Sequence, residues 1–192
     1  MAGVAGPMLR RDRAHGVRFL VGLAVGGTLA GAVLAVLAYL VGSAVQAILP
    51  MTVRLWLLAL ASAAFGLADL ANRTPHVWRQ VPQRFVHRLT PGVLGLVWGF
   101  DLGLLVTTQK VASLIWVSVT AVVLLEPTAA AGVLVGIALI ASVVVTAWSM
   151  SERTSDLLVS RKEHQWVTII RRASGLALLI LALLAAIQAW GG

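Results

Sequence analysis

The chain has 192 residues, of which 59% are hydrophobic and 11% charged, with a mean hydropathy of +0.93. A soluble domain carries about 25% charged residues, so a soluble fold is excluded, and the absence of cysteine removes disulfides, thiolate metal sites and thiol relays. A formal charge of +8 and a pI near 11.7 would suggest nucleic acid in a soluble protein; here they read as cytoplasmic flanks attracted to anionic lipid, and no nucleic-acid partner is expected.

The basic lead-in "MAGVAGPMLRRDRAHGVRF" opens the first apolar run, Val17–Ile48. A cleaved signal peptide has an apolar core of about 7–15 residues; this run is far longer and reads as an uncleaved span. Thr52–Leu70, Gly92–Leu125, Thr128–Trp148 and Ala173–Ala189 follow. The second, fourth and fifth have ordinary span length. The first and third would each run about 48 Å as straight helices, against a hydrocarbon core of about 30 Å, so strongly tilted, protruding, kinked or broken helices are expected there. The fold class is an all-α polytopic transmembrane helix bundle, one domain over residues 1–192.

Arg10, Arg11, Arg13 and Arg18 precede the first run, Arg73, Arg79, Arg84 and Arg88 separate the second from the third, and Arg153, Arg161, Lys162, Arg171 and Arg172 separate the fourth from the fifth. Counting Gly92–Leu125 as one crossing puts every cluster on the cytoplasmic side. That gives five crossings with the N-terminus inside; splitting the run at "TTQK" gives six and exports the third cluster. The expected location is a bacterial cytoplasmic (inner) membrane.

Sliding the chain by 77 residues puts Gly22 on Gly99, Gly26 on Gly103, Pro50 on Pro127, Arg84 on Arg161 and His87 on His164. This marks an internal repeat, 18–90 and 95–167, with two similar hairpins shaped by one bilayer as the alternative. The same offset lays "TTQK" on the Gly-rich middle of the first run.

Asp101 lies about ten residues into the third run. An intramembrane carboxylate costs about 2.5–3.5 kcal/mol to insert; it reads as a proton- or cation-coupling acid, or as an interhelical hydrogen bond. Thr107, Thr108 and Gln109 can serve backbone groups freed by a break, while Lys110 either joins that site or snorkels to the outer interface. With Gly26 and Gly27, these residues form the candidate substrate or ion path. Small-xxx-small pairs Gly22/Gly26, Gly27/Gly31, Gly99/Gly103 and Gly132/Gly136 allow close helix packing, within the chain or between chains. The stretches His76–Leu89 and Asp156–Arg172 place apolar residues at helical spacing among Arg79, Arg84, Arg88, Arg161, Arg171 and Arg172, as interfacial helices on the cytoplasmic leaflet or as a partner surface do. Trp56, Trp148 and Trp190 sit at span ends. None of the histidines lies within an apolar run, and no P-loop, metal pair or nucleophile elbow occurs, so no enzymatic role, cofactor or metal is expected.

The segment "LGLVWGFDLGLLVTTQKVASLIWVSVTAVV", its Pro turn and "AAAGVLVGIALI" resemble the second-half core of the CcdA/DsbD transmembrane family, small cytochrome c biogenesis or exporter-like proteins. "RQVPQRFVHRLTPGVLGLVWGFDLGL" adds to the likeness. The resemblance covers residues 79–145 and puts Thr107 or Thr108 where that family has the Thr of its Thr-Pro-Cys break. Both redox cysteines and the break prolines are missing, so the resemblance implies a shared scaffold without dithiol electron transfer. The expected function is a transporter-like protein moving a small solute or ion past Asp101. The alternative is a non-catalytic subunit that scaffolds a larger membrane complex. The expected partners are the lipid bilayer and either other membrane subunits or further copies of the chain.

Overall fold

A computed structural model describes residues 12–73, 88–104, 113–150 and 163–191. Six α-helices, and no strand, occur among the described residues: α1 Arg13–Ile48, α2 Met51–Leu70, α3 Pro91–Gly103, α4 Leu114–Leu125, α5 Gly136–Met150 and α6 Glu163–Gly191. A 3₁₀ turn, Pro127–Ala129, and a π-turn, Ala131–Val135, lead into α5. Among the described residues, four segments are long and apolar enough to cross a membrane: Arg13–Ile48, Met51–Leu70, Pro127–Val144 and Val167–Gly191.

The two long runs are built differently. α1 runs through its Gly-rich middle as one helix of 36 residues, about 54 Å long. A mid-helix glycine costs only about 1 kcal/mol, and close packing against α3 offsets it. The second long run is built as α3 and α4, of 13 and 12 residues, each about 20 Å or less and too short to span alone. Its residues 105–112 lie outside the described residues. Residues 163–172, expected within a separate interfacial helix, are the opening turns of α6.

α6 shows what solvent these helices meet. Its buried face carries Ser174, Gly175, Leu178, Ala182, Ala185 and Ala189; its exposed face carries Leu176, Ile180, Leu183, Leu184 and Ile187. Apart from Leu178, small residues point inward and large apolar ones outward, the reverse of a soluble amphipathic helix and the arrangement expected where lipid is the solvent. The fold is that of a membrane protein.

The chain divides into two compact units. The first holds α1 up to Leu34 with α3 and α5. There α3 runs parallel to α1 in backbone-to-backbone contact. A Cβ on Gly26 would lie 2.1 Å from the Leu96 carbonyl oxygen, and one on Gly95 would lie 2.0 Å from that of Phe19. α5 runs antiparallel to α1, with Gly31 beside Leu134 and Gly27 beside Ser142. Phe19 and Trp98 meet edge to face at 5.8 Å between ring centroids.

The second unit holds α1 from Ala35 onward with α2, α4 and α6. The turn at Leu49 and Pro50 reverses the chain into α2, because Pro50 has no N–H to continue the helix. Leu58, Ala59, Val117, Leu124, Leu178 and Ala185 form the core of α2, α4 and α6. α2 ends at Leu70, and Asn72 just beyond it, with a φ of 55°, turns the chain out of the helix in the left-handed region that Asn tolerates. The N–H groups of Ala71, Asn72 and Arg73 then take the carbonyls of Leu67, Asp69 and Ala68.

Candidate functional site

The second unit contains a buried polar cluster on three helices. Asp69, in the last turn of α2, is fully buried, as is Ser113 at the head of α4, and Ser174 of α6 is nearly so. The Ser113 N–H donates to Asp69 Oδ2 at 2.8 Å, the Ser113 hydroxyl to Oδ1 at 2.7 Å, and the Ser174 hydroxyl to Oδ2 at 2.8 Å.

Local chemistry explains the arrangement. An acid near a helix C-terminus opposes that helix's dipole, whereas one at an N-terminus complements it. Asp69 is badly placed for α2 and well placed for α4, whose first N–H groups need an acceptor. Ser113 is the N-cap of α4 but makes no side-chain cap bond within it; Asp69 supplies the acceptor from across the helix pair. The close approach depends on Gly66 and Gly175: a Cβ on either would lie 3.0 or 2.8 Å from the other's carbonyl oxygen. Ser62, on the same α2 face, is fully buried with no hydrogen-bond partner for its hydroxyl.

The other end of α4 is also held by polar side chains. Arg54 Nη1 donates to the Leu124 carbonyl at 2.9 Å and Gln46 Nε2 to that of Leu125 at 2.8 Å, so a cation sits where the α4 dipole is negative.

In the first unit Asp101 is 8% exposed, in the last turn of α3. Trp98, one turn earlier on the same face, is buried, and its indole N–H has no hydrogen-bond partner. Gly26 and Gly27, expected along the path, are contact points of α1: Gly26 meets α3, and a Cβ on Gly27 would lie 3.0 Å from Ser142 Oγ of α5. Gly22, Gly99 and Gly103 likewise face backbone atoms across the α1–α3 contact, whereas a Cβ on Gly132 or Gly136 would meet nothing within 4 Å. Thr107, Thr108, Gln109 and Lys110 lie outside the described residues, as do Arg79, Arg84 and Arg161. Arg88 and Arg172 are exposed and Arg171 half-buried.

Sequence reasoning singled out Asp101 and missed Asp69, which looks like the polar end of an ordinary span. The available signal was Ser62, Gly66 and Asp69 on one α2 face, matched by the small pair Ser174-Gly175 in the last span. No family model, curated protein or solved structure matches the chain.

Proposed function

We propose that this protein is a small multi-pass transporter of the bacterial cytoplasmic membrane, with its N-terminus in the cytoplasm, carrying an ion past Asp101. The supporting observation is a polar pair in an apolar helix: the buried Asp101 carboxylate one turn from the orphaned Trp98 N–H, where α3 ends. A buried carboxylate in such a helix is costly and marks an ion path more often than a packing element, and a buried donor without a partner calls for a passing acceptor. The backbone contact between α1 and α3 favours an ion over a bulkier solute. The distribution of Lys and Arg favours five crossings. The CcdA/DsbD resemblance contributes a scaffold and no redox step, as the chain has no cysteine. Ion flux into liposomes containing the full chain, compared with Asp101→Asn, tests this function.

One observation favours the second reading, a scaffolding subunit. Gly132 and Gly136 form a small-residue face open to the outside, next to exposed Ile140, Val143 and Val144, where another helix could lie. Co-purification with foreign chains, lost in Gly136→Leu, is the outcome that would favour it.

A further inference from the structure

We infer that Ala131–Gly136 is a hinge in the fourth apolar run, where the π-turn converts to α-helix and lets α5 slip along α1 by one residue. Its use in carrying an ion rests on the function proposed above; its motion does not.

Three observations carry the inference. The first is the backbone. Pro127–Ala129 is a 3₁₀ turn, Ala131–Val135 is a π-turn, and regular α-helix begins only at Gly136. A π-turn pairs residues five apart, one more than an α-turn, and π-turns inside helices occur frequently at functional sites.

The second is the glycines. A Cβ on Gly22, Gly26, Gly95 or Gly99 would lie 2.2 Å or less from a neighbouring carbonyl oxygen, so close packing requires glycine there. A Cβ on Gly132, inside the π-turn, or on Gly136, just after it, would meet nothing within 4 Å. A helical glycine costs about 1 kcal/mol relative to alanine. Without a packing neighbour, what it contributes is backbone freedom.

The third is anchorage on either side. Before the turn, Pro127 packs on Gly42 of α1, whose Cβ would lie 2.6 Å from Pro127 Cγ. Beyond Gly132, Leu134 is fully buried, and its carbonyl and the Ala138 methyl lie against Gly31 of α1. Ala131 and Gly132, between these anchors, are exposed. The chain also passes from one compact unit to the other between Ala130 and Ala131.

Conversion exchanges bonds between residues five apart for bonds between residues four apart, within the same segment. The residue released turns α5 by about 100° and advances it by about 1.5 Å. Ile137 and Ala141 then take the places of Ala138 and Ser142. Both are apolar, and α1 presents Gly31 and Gly27 to those places, so no side chain of α1 interlocks with α5 there. Pro127 stays on Gly42 throughout.

The test is the distance between two spin labels on the full chain in lipid nanodiscs, measured by pulsed electron spin resonance. The chain has no cysteine, so Thr128→Cys with Val144→Cys places one label on each side of the turn. Two distance populations are expected, whereas Ile170→Cys with Ile187→Cys on α6, an uninterrupted helix, should give one. Adding Gly132→Ala and Gly136→Ala should leave a single population across the turn. Alanine keeps this face small, as a docked helix needs, and removes only the backbone freedom. One population in the chain without the alanines, no broader than that of the α6 pair, would overturn the inference, as would two that the alanines leave unchanged. The distances do not depend on flux, so a protein that shows the hinge yet carries no ion contradicts only the transport reading.

Discussion

Asp69 and Ser113, 44 residues apart in sequence, are joined twice, N–H to Oδ2 at 2.8 Å and hydroxyl to Oδ1 at 2.7 Å. The pair makes the end of one helix the cap of another. Removing the carboxylate leaves a buried N–H without its acceptor. Asp69→Ala should therefore cost about 3 kcal/mol of stability, because a hydrogen bond contributes about 0.5–1.5 kcal/mol and a buried partner left without one adds about 1–3 kcal/mol. Asp69→Asn, which keeps an acceptor oxygen, should cost less. Unfolding of the purified chain in detergent measures both, and an Asp69→Ala protein as stable as wild type would refute the capping role.

Glycine positions should divide by what their Cβ meets. Gly95→Ala and Gly99→Ala put a methyl 2.0 and 2.1 Å from the Phe19 and Leu23 carbonyl oxygens. They should force α3 away from α1 at a cost of about 1–3 kcal/mol or more. Gly136→Ala meets open space and should stabilise α5 by about 0.5–1 kcal/mol through helix propensity. Equal effects at Gly99 and Gly136 in the same unfolding assay would contradict the packing described.

The start of α1 should respond to acid. Asp12 Oδ1 accepts from the Ala14 and His15 N–H groups, at 2.9 and 3.2 Å, and its other oxygen pairs with the His15 ring. The hydrogen bond to the His15 side chain, first among several, holds the Asp12 carboxyl below its ordinary value. The sign follows from linkage: the folded turn binds its proton less readily than the unfolded chain. Its stabilisation is thus present above the ordinary carboxylate range of about 3.9 and is lost as pH falls through the lowered value. Amide protection at Ala14 and His15, relative to intrinsic exchange, should fall on acidification in wild type and be low at all pH in Asp12→Ala. A pH-independent difference between the two would count against the cap.

Topology has a direct readout, because the chain has no cysteine. Five crossings place Ser155 in the cytoplasm, so Ser155→Cys should resist an impermeant maleimide in intact cells and react after lysis. Labelling from outside would establish the six-crossing arrangement instead.

The membrane class and helical architecture were legible because lipid imposes runs of about 20 apolar residues that no soluble chain needs. The continuity of α1 was left open, because a run that long can tilt, protrude or break: glycine weakens a helix locally, but whether it breaks one depends on the packing it permits, and Gly22 and Gly26 are occupied by α3. Asp101 stood out because it lies inside an apolar run. Asp69 did not, because it ends one, and its partners Ser113 and Ser174 are 44 and 105 positions away. A polar cluster assembled from three spans leaves only single small or polar residues in each.

The proposed function turns on whether Asp101 serves an ion path. The decisive measurement is ion uptake by liposomes containing the full chain, followed with entrapped proton-, sodium- and potassium-sensitive dyes and compared with Asp101→Asn at equal incorporation. Uptake of one of these ions by wild type, reduced about tenfold or more in Asp101→Asn, is the expected result, because the variant lacks the charge that offsets the cost of bringing a cation into the bilayer. Uptake by Asp101→Asn equal to wild type, or wild-type uptake no greater than that of protein-free liposomes for all three ions, would contradict the proposal.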